Sequence, residues 1–231
     1  MTTNKEYIEI HNTIYKKKNY KKAIEALNSS KVLKQTNYQR LLAEALFYAG
    51  NFPESAIIFN NLKMNYHLGL CYLFLGDYKT AQSIWKETTA SPAQNWSLFF
   101  CELLTNNIKT PPSFLQIRTF LERDLNLFLK FKKTLYIQTI IDYSEILADI
   151  NPETNKIIAK TFLYNNYPNY AKEYFVRAFD FTTQDAELYY LCGIYNEMIN
   201  DIPEAQKCLK QAILLNDNYV PAKLLLEKLN R

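Results

Sequence analysis

The chain has 231 residues, is 48% apolar and 15% aromatic, and carries a formal charge of +4. That is enough chain to bury a large core in one domain or two, and too aromatic a composition for disorder. Four Gly against 18 Tyr and 14 Phe leave too few flexible turn residues for an all-β or dinucleotide-binding fold. Lys and Arg are spread along the sequence, which disfavours a nucleic-acid partner. No apolar run of about 18 residues suggests a spanning helix, and MTTNKEYIEI has no apolar leader. Cys71, Cys101, Cys192 and Cys208 lie far apart with no CxxC pair, so we expect reduced, mostly buried thiols and a cytoplasmic location.

In chain order, Tyr7, Ile10, Ile14, Ala23 and Leu27 form a first pair of amphipathic helices. Leu41, Ala45, Tyr48 and Ala56 form a second with a shortened second helix, because NFPESAIIFNNL allows only two or three turns before Asn65. Residues 62–91 form a third, with Leu68-Gly69, Tyr72, Ala81, Trp85 and the turn LGDY. The stretch 90–113 breaks the phase, and within it WSLFFCELL (96–104) predicts one extra helix, ended by Asn106-Asn107 and Pro111-Pro112. A helix from Phe114 to about Lys130 follows, and with Ile137, Ile141 and Ser144 it makes a worn fourth copy. Phe162, Ala171, Phe175 and Ala178 mark the fifth, and Tyr189, Gly193, Ala205, Leu209 and Ala212 the sixth. The tail YVPAKLLLEKL (219–229) reads as a capping helix.

Gly69, Ala81, Ala171, Ala178, Gly193, Ala205 and Ala212 stand where two helices of a hairpin should cross closely, since larger side chains would push the backbones apart. Their recurrence at 34 residues, with paired helical stretches, predicts an all-α fold: a helical solenoid of antiparallel hairpins. We expect an N-terminal array over 1–91, an irregular insert with one helix over 92–117, and a C-terminal array over 118–231 including the cap.

These residues resemble the tetratricopeptide repeat family, which implies a right-handed superhelical α-solenoid of antiparallel helix hairpins. Its outline, W-x2-L-G-x2-Y then A-x3-F-x2-A, appears as Leu68-Gly69, Tyr72, Ala81 and Trp85, and again as Tyr189, Cys192-Gly193, Ala205, Leu209 and Ala212. The fourth copy departs from it, with Leu125 at its first crossing, and the closing Pro occurs only displaced, as Pro92 and Pro152.

No catalytic constellation is legible. His11 and His67 lack Cys or carboxylate neighbours at ligand spacing, so no metal or cofactor is expected. Gly50, Gly69, Gly76 and Gly193 are isolated and form no phosphate loop. Glu122 pairs with Arg118 as an ordinary i,i+4 contact. Cys192 and Cys208 fall within one hairpin and read as a buried thiol pair in a reducing compartment.

The resemblance implies a peptide-binding concave face made by the first helix of each hairpin. Carried over residue by residue, it assigns Lys63, Tyr66, Leu70, Leu73 and Phe74 in the third copy. It assigns Lys156, Lys160 and Tyr164 in the fifth, and Tyr190, Ile194 and Met198 in the sixth. Tyr66 and Phe74 are the expected anchors, although aromatics at such places also serve to pack a neighbouring hairpin. The carboxylate clamp of chaperone-binding members is poorly matched, with Ile8 at one Lys place, Ala43 at an Asn place and His67 where Arg is expected. The fifth copy looks basic. The implied function is a non-enzymatic adaptor for a protein or peptide, without membrane association. The alternatives are a self-assembly module, possible as a homo-oligomer, or a nucleic-acid-associated protein using Lys16–Lys22 and Lys130–Lys133.

Overall fold

The computed structural model describes residues 2–30 and 35–230, with backbone alone for 2–4. The expected array ends at residues 1 and 231 lie outside the described residues. The described chain is helical throughout and divides into two compact units, Met1–Lys109 and Thr110–Arg231.

The first unit runs α1 (Thr2–Tyr15), α2 (Tyr20–Ser29), α3 (Thr36–Ala49), α4 (Phe52–Asn61), α5 (Asn65–Leu75), α6 (Tyr78–Lys86) and α7 (Pro92–Leu104). Each helix packs on the next, and α1 also touches α3. The second runs α8 (Phe114–Lys130), α9 (Thr134–Asp142), α10 (Ser144–Ile150), α11 (Thr154–Tyr164), α12 (Pro168–Phe181), α13 (Ala186–Met198), α14 (Ile202–Leu215) and α15 (Val220–Leu229). Here the first helices of successive hairpins lie side by side, α8 on α11 and α11 on α13. In each unit the antiparallel hairpin pairing is that of a right-handed α-solenoid.

With so few glycines, the chain turns its hairpins on other residues. Gly50 and Gly76 take the left-handed conformation after α3 and α5, but Lys18, Asn106, Lys132, Asn166 and Asn200 take it elsewhere. Asn tolerates that region through its short polar side chain, whereas Lys is held there by the flanking helices. The basic runs around Lys18 and Lys132 are therefore hairpin turns. Side-chain caps fix the starts: Asn19, Asp77, Ser91, Asp185 and Asp201 each accept the N–H three residues on. Ser113 and Gln116 form a reciprocal capping box at α8.

The small residues lie at the helix contacts. Ala81, Ala171, Ala178, Ala205 and Ala212 are buried, as are Gly69 and Gly193. A Cβ on Gly69 would overlap the Trp85 indole, and one on Gly193 would come within 2.7 Å of Leu209 Cδ2. Trp85 is locked there by donating its indole N–H to the Tyr66 carbonyl (3.1 Å).

Two local features differ from the sequence expectation. Helix α7 starts a turn earlier than residue 96, because Ser91 caps it and Pro92 suits the first helical position. The second helix of the fourth copy is broken at Tyr143 into α9 and α10. At the break the Ser144 hydroxyl donates to the Ile141 carbonyl (2.8 Å) and accepts from Arg177 (3.4 Å). In the tail, α15 buries Ala222 against Leu209 and Ala212, with Leu225, Leu226 and Leu229 packed around it.

Candidate functional site

In the second unit, α8, α11 and α13 present Glu122 and Asn126, then Lys156, Lys160 and Tyr164, then Glu187, Tyr190 and Ile194. These are side chains of successive turns on adjacent helices. Lys160 lies 3.5 Å from both Glu122 and Glu187. Lys156 donates to Asp185 (2.7 Å) and lies 3.2 Å from Glu187 and 3.7 Å from Glu153. Asn165 donates to Asn126 across α11 and α8 (2.7 Å). The Tyr190 ring meets Tyr219, at the start of α15, edge-on at 5.4 Å.

The electrostatics follow from that lattice. Burial opposes the charges on Lys156 and Lys160, but the surrounding carboxylates outweigh it and raise both pKa values. Asp185 is held below the usual carboxylate range although burial acts the other way, because Lys156 and the Leu188 N–H both donate to it. Burial, with the charge of Glu187 and the nearby tyrosines, pushes the Tyr219 phenol up to about 12. Burial likewise raises Tyr164, with Tyr190 adding to it and Lys160 acting against it. The phenols stay protonated at neutral pH and can donate hydrogen bonds.

The expected basic character of the fifth copy is thus corrected. Both of its lysines are neutralised by carboxylates from the flanking copies. Arg118 and Glu122 do not form the expected i,i+4 pair either: Arg118 approaches Glu153 (4.0 Å) and Glu122 approaches Lys160. Tyr164 is 56% exposed and Met198, at the end of α13, is 37% exposed. Tyr190 and Ile194 are half-buried. Beside this face a cleft of about 540 Å³ opens between Lys156, Asp185, Glu187, Phe181, Leu215 and Tyr219.

The third-copy residues are placed differently. Phe74 is 1% exposed, edge-on to Phe47 and stacked on Phe52, each at 5.3 Å. Leu73 is 3% exposed. Both are core residues, a correction with a clear cause: α5 lies between α4 and α6 and is apolar on nearly every side. Lys63 is exposed but stands in the left-handed turn before α5 (φ 54°), not on the helix. Tyr66 is half-buried near Trp85, and Leu70 is half-buried beside Cys71. Sequence reasoning missed Asp185 and Tyr219 as members of the second-unit lattice, although Asp185 just before a helical run carries an N-cap signal.

His11 is exposed, and His67 stacks on Phe59 (4.9 Å). Among the described residues, no group of three or more His, Cys, Asp or Glu could hold a metal ion, and no helix is long and apolar enough to cross a membrane.

No known family model matches the sequence, and no curated protein matches it. Among solved structures the chain is similar to the TPR2AB-domain:pHSP90-complex of yeast Sti1, at 16% identity, covering 100% of this chain and 99% of that one, with a TM-score of 0.39. It is also similar to a tetratricopeptide repeat protein from Parabacteroides merdae, at 14% identity, covering 98% of this chain and all of that one, with a TM-score of 0.40.

Proposed function

We propose that the protein is a non-catalytic scaffold of tetratricopeptide type that binds an extended segment of a partner protein across the α8–α11–α13 face. The observation that supports this most is the placement of Tyr164. It is more than half exposed beside Tyr190, above a lattice whose own charges are internally paired. Such a face offers phenol donors and apolar contact area with little net charge, which suits a peptide with an aromatic or aliphatic anchor and flanking polar groups. Selection of a random peptide library on the immobilised protein tests it. Convergence on one anchor pattern, lost with Tyr164→Ala, is the expected result. Unrelated peptides, or retention by the variant, would refute it.

A second reading, self-assembly, rests on α15. Val220 and Leu224 are 58% and 61% exposed and four residues apart on one helix. Sedimentation of the full chain distinguishes the two: a dimer abolished by Leu224→Glu would favour assembly, and a monomer that still selects peptides would favour the scaffold.

A further inference from the structure

We propose that Cys192 and Cys208 form an oxidation site at which a peroxide converts the two thiols into a disulfide joining α13 to α14. The residues stand on the two helices of one hairpin, beside Gly193 and Leu209, where the missing Cβ lets the backbones approach closely. Both cysteines are set against Asn196 of α13. Asn196 is placed by donating to the Cys192 carbonyl (2.9 Å), and the same amide lies 3.7 Å from Cys208 Sγ. The neighbouring Cys192 thiol and the Asn196 amide both favour the Cys208 thiolate over the neutral thiol. Burial and Glu204 oppose this, and Lys207 supports it.

The other two thiols lack this arrangement. Cys71 and Cys101 are wholly buried on separate helices, and burial pushes them up to about 11 and about 12. Cys192 is half-buried and Cys208 keeps 7% exposure, where Cys71 and Cys101 have none, so a small oxidant reaches this pair first.

The chemistry balances with the peroxide as oxidant. The Cys208 thiolate attacks one peroxide oxygen. An S–O bond forms, the O–O bond breaks, and the departing hydroxide takes up the proton that Cys208 released, leaving as water. The Cys192 sulfur then attacks the Cys208 sulfenyl sulfur. The S–S bond forms, the S–O bond breaks, and the oxygen leaves as a second water with the Cys192 proton. The peroxide is reduced and both cysteines are oxidised. Because α13 carries Tyr190 and Ile194, the bond would tie that part of the candidate face to α14.

Hydrogen peroxide treatment of the folded full chain, followed by alkylation and mass spectrometry, tests this. The expected product is a monomer lighter by about 2 Da before alkylation, containing a Cys192–Cys208 cross-linked peptide and restored by dithiothreitol. Cys192→Ser should instead stop at a sulfenic acid on Cys208 that dimedone labels, while the Cys71→Ser, Cys101→Ser double variant still forms the cross-link. The proposal is overturned if Cys192 and Cys208 both remain alkylatable in oxidised wild type, or if the cross-link joins other cysteines. The wild-type peptide map decides this even if a variant fails to fold.

Discussion

The Lys156 ammonium donates to the Asp185 carboxylate at 2.7 Å, linking α11 to the cap of α13, which Asp185 also provides by accepting the Leu188 N–H at 3.1 Å. One carboxylate thus serves a helix terminus and a partly buried ion pair, with side chains 14% and 22% exposed. Removing the cation leaves Asp185 and Glu187 poorly compensated. Lys156→Ala should destabilise the second unit by about 1–3 kcal/mol in urea titrations followed by circular dichroism. Lys207→Ala, removing a solvent-exposed pair with Glu204, should leave the midpoint unmoved.

Gly69 and Gly76 separate two uses of glycine within a few residues. Gly69→Ala forces a methyl into the Trp85 indole, which is buried and fixed by its hydrogen bond to the Tyr66 carbonyl. The expected loss is about 1–3 kcal/mol, with a changed tryptophan emission spectrum in the folded state. Gly76→Ala meets nothing within 4 Å but must hold φ near +91°. It should cost about 1 kcal/mol and leave the emission unchanged. Both tryptophans, Trp85 and Trp96, lie in the first unit, so fluorescence reports on it alone.

Glu44 predicts a pH dependence. Burial pushes its carboxyl up to about 7 from an ordinary 4.5, in a site where the Tyr15 hydroxyl donates to it and Arg40 lies at 2.8 Å. Its folded-state pKa exceeds the unfolded one, so the folded unit holds the extra proton between these values. The stability from this group is complete below pH 4.5, falls as pH rises to about 7, and is flat beyond. Fluorescence-monitored urea midpoints should decline across that window in wild type, and Glu44→Gln should remove this decline. A rise attributable to Glu44 over the same range would contradict the assignment.

The hairpins were readable because their signals are local: small residues at fixed offsets, apolar periodicity, and caps such as Ser113 with Gln116. The break at Tyr143 was not, since the Arg177 that meets Ser144 there comes from another helix. The candidate face was legible only in part. The repeat position of Tyr164 and Lys160 gives their place on α11 but not their surroundings. The carboxylates that neutralise Lys156 and Lys160 come from copies on either side, far away in sequence. Phe74 misled for a related reason: its neighbours Phe47 and Phe52 belong to the preceding, shortened copy, where the change of spacing alters which side of α5 is covered.

Phe74→Ala therefore should behave as a core truncation. A side chain with 1% exposure between two aromatic rings should cost about 3–5 kcal/mol when cut to Ala. Tryptophan-monitored unfolding of the first unit measures this. A midpoint within error of wild type would place Phe74 at the surface after all.

The most direct test of the scaffold account is calorimetric titration of a library-selected peptide against wild type and the Tyr164→Ala, Met198→Ala double variant. Both side chains are exposed, so the thermal midpoint should barely move. Loss of aromatic and aliphatic anchors commonly costs about 2 kcal/mol or more, so binding should weaken at least about tenfold. Full affinity in a folded double variant would contradict a site on the α8–α11–α13 face.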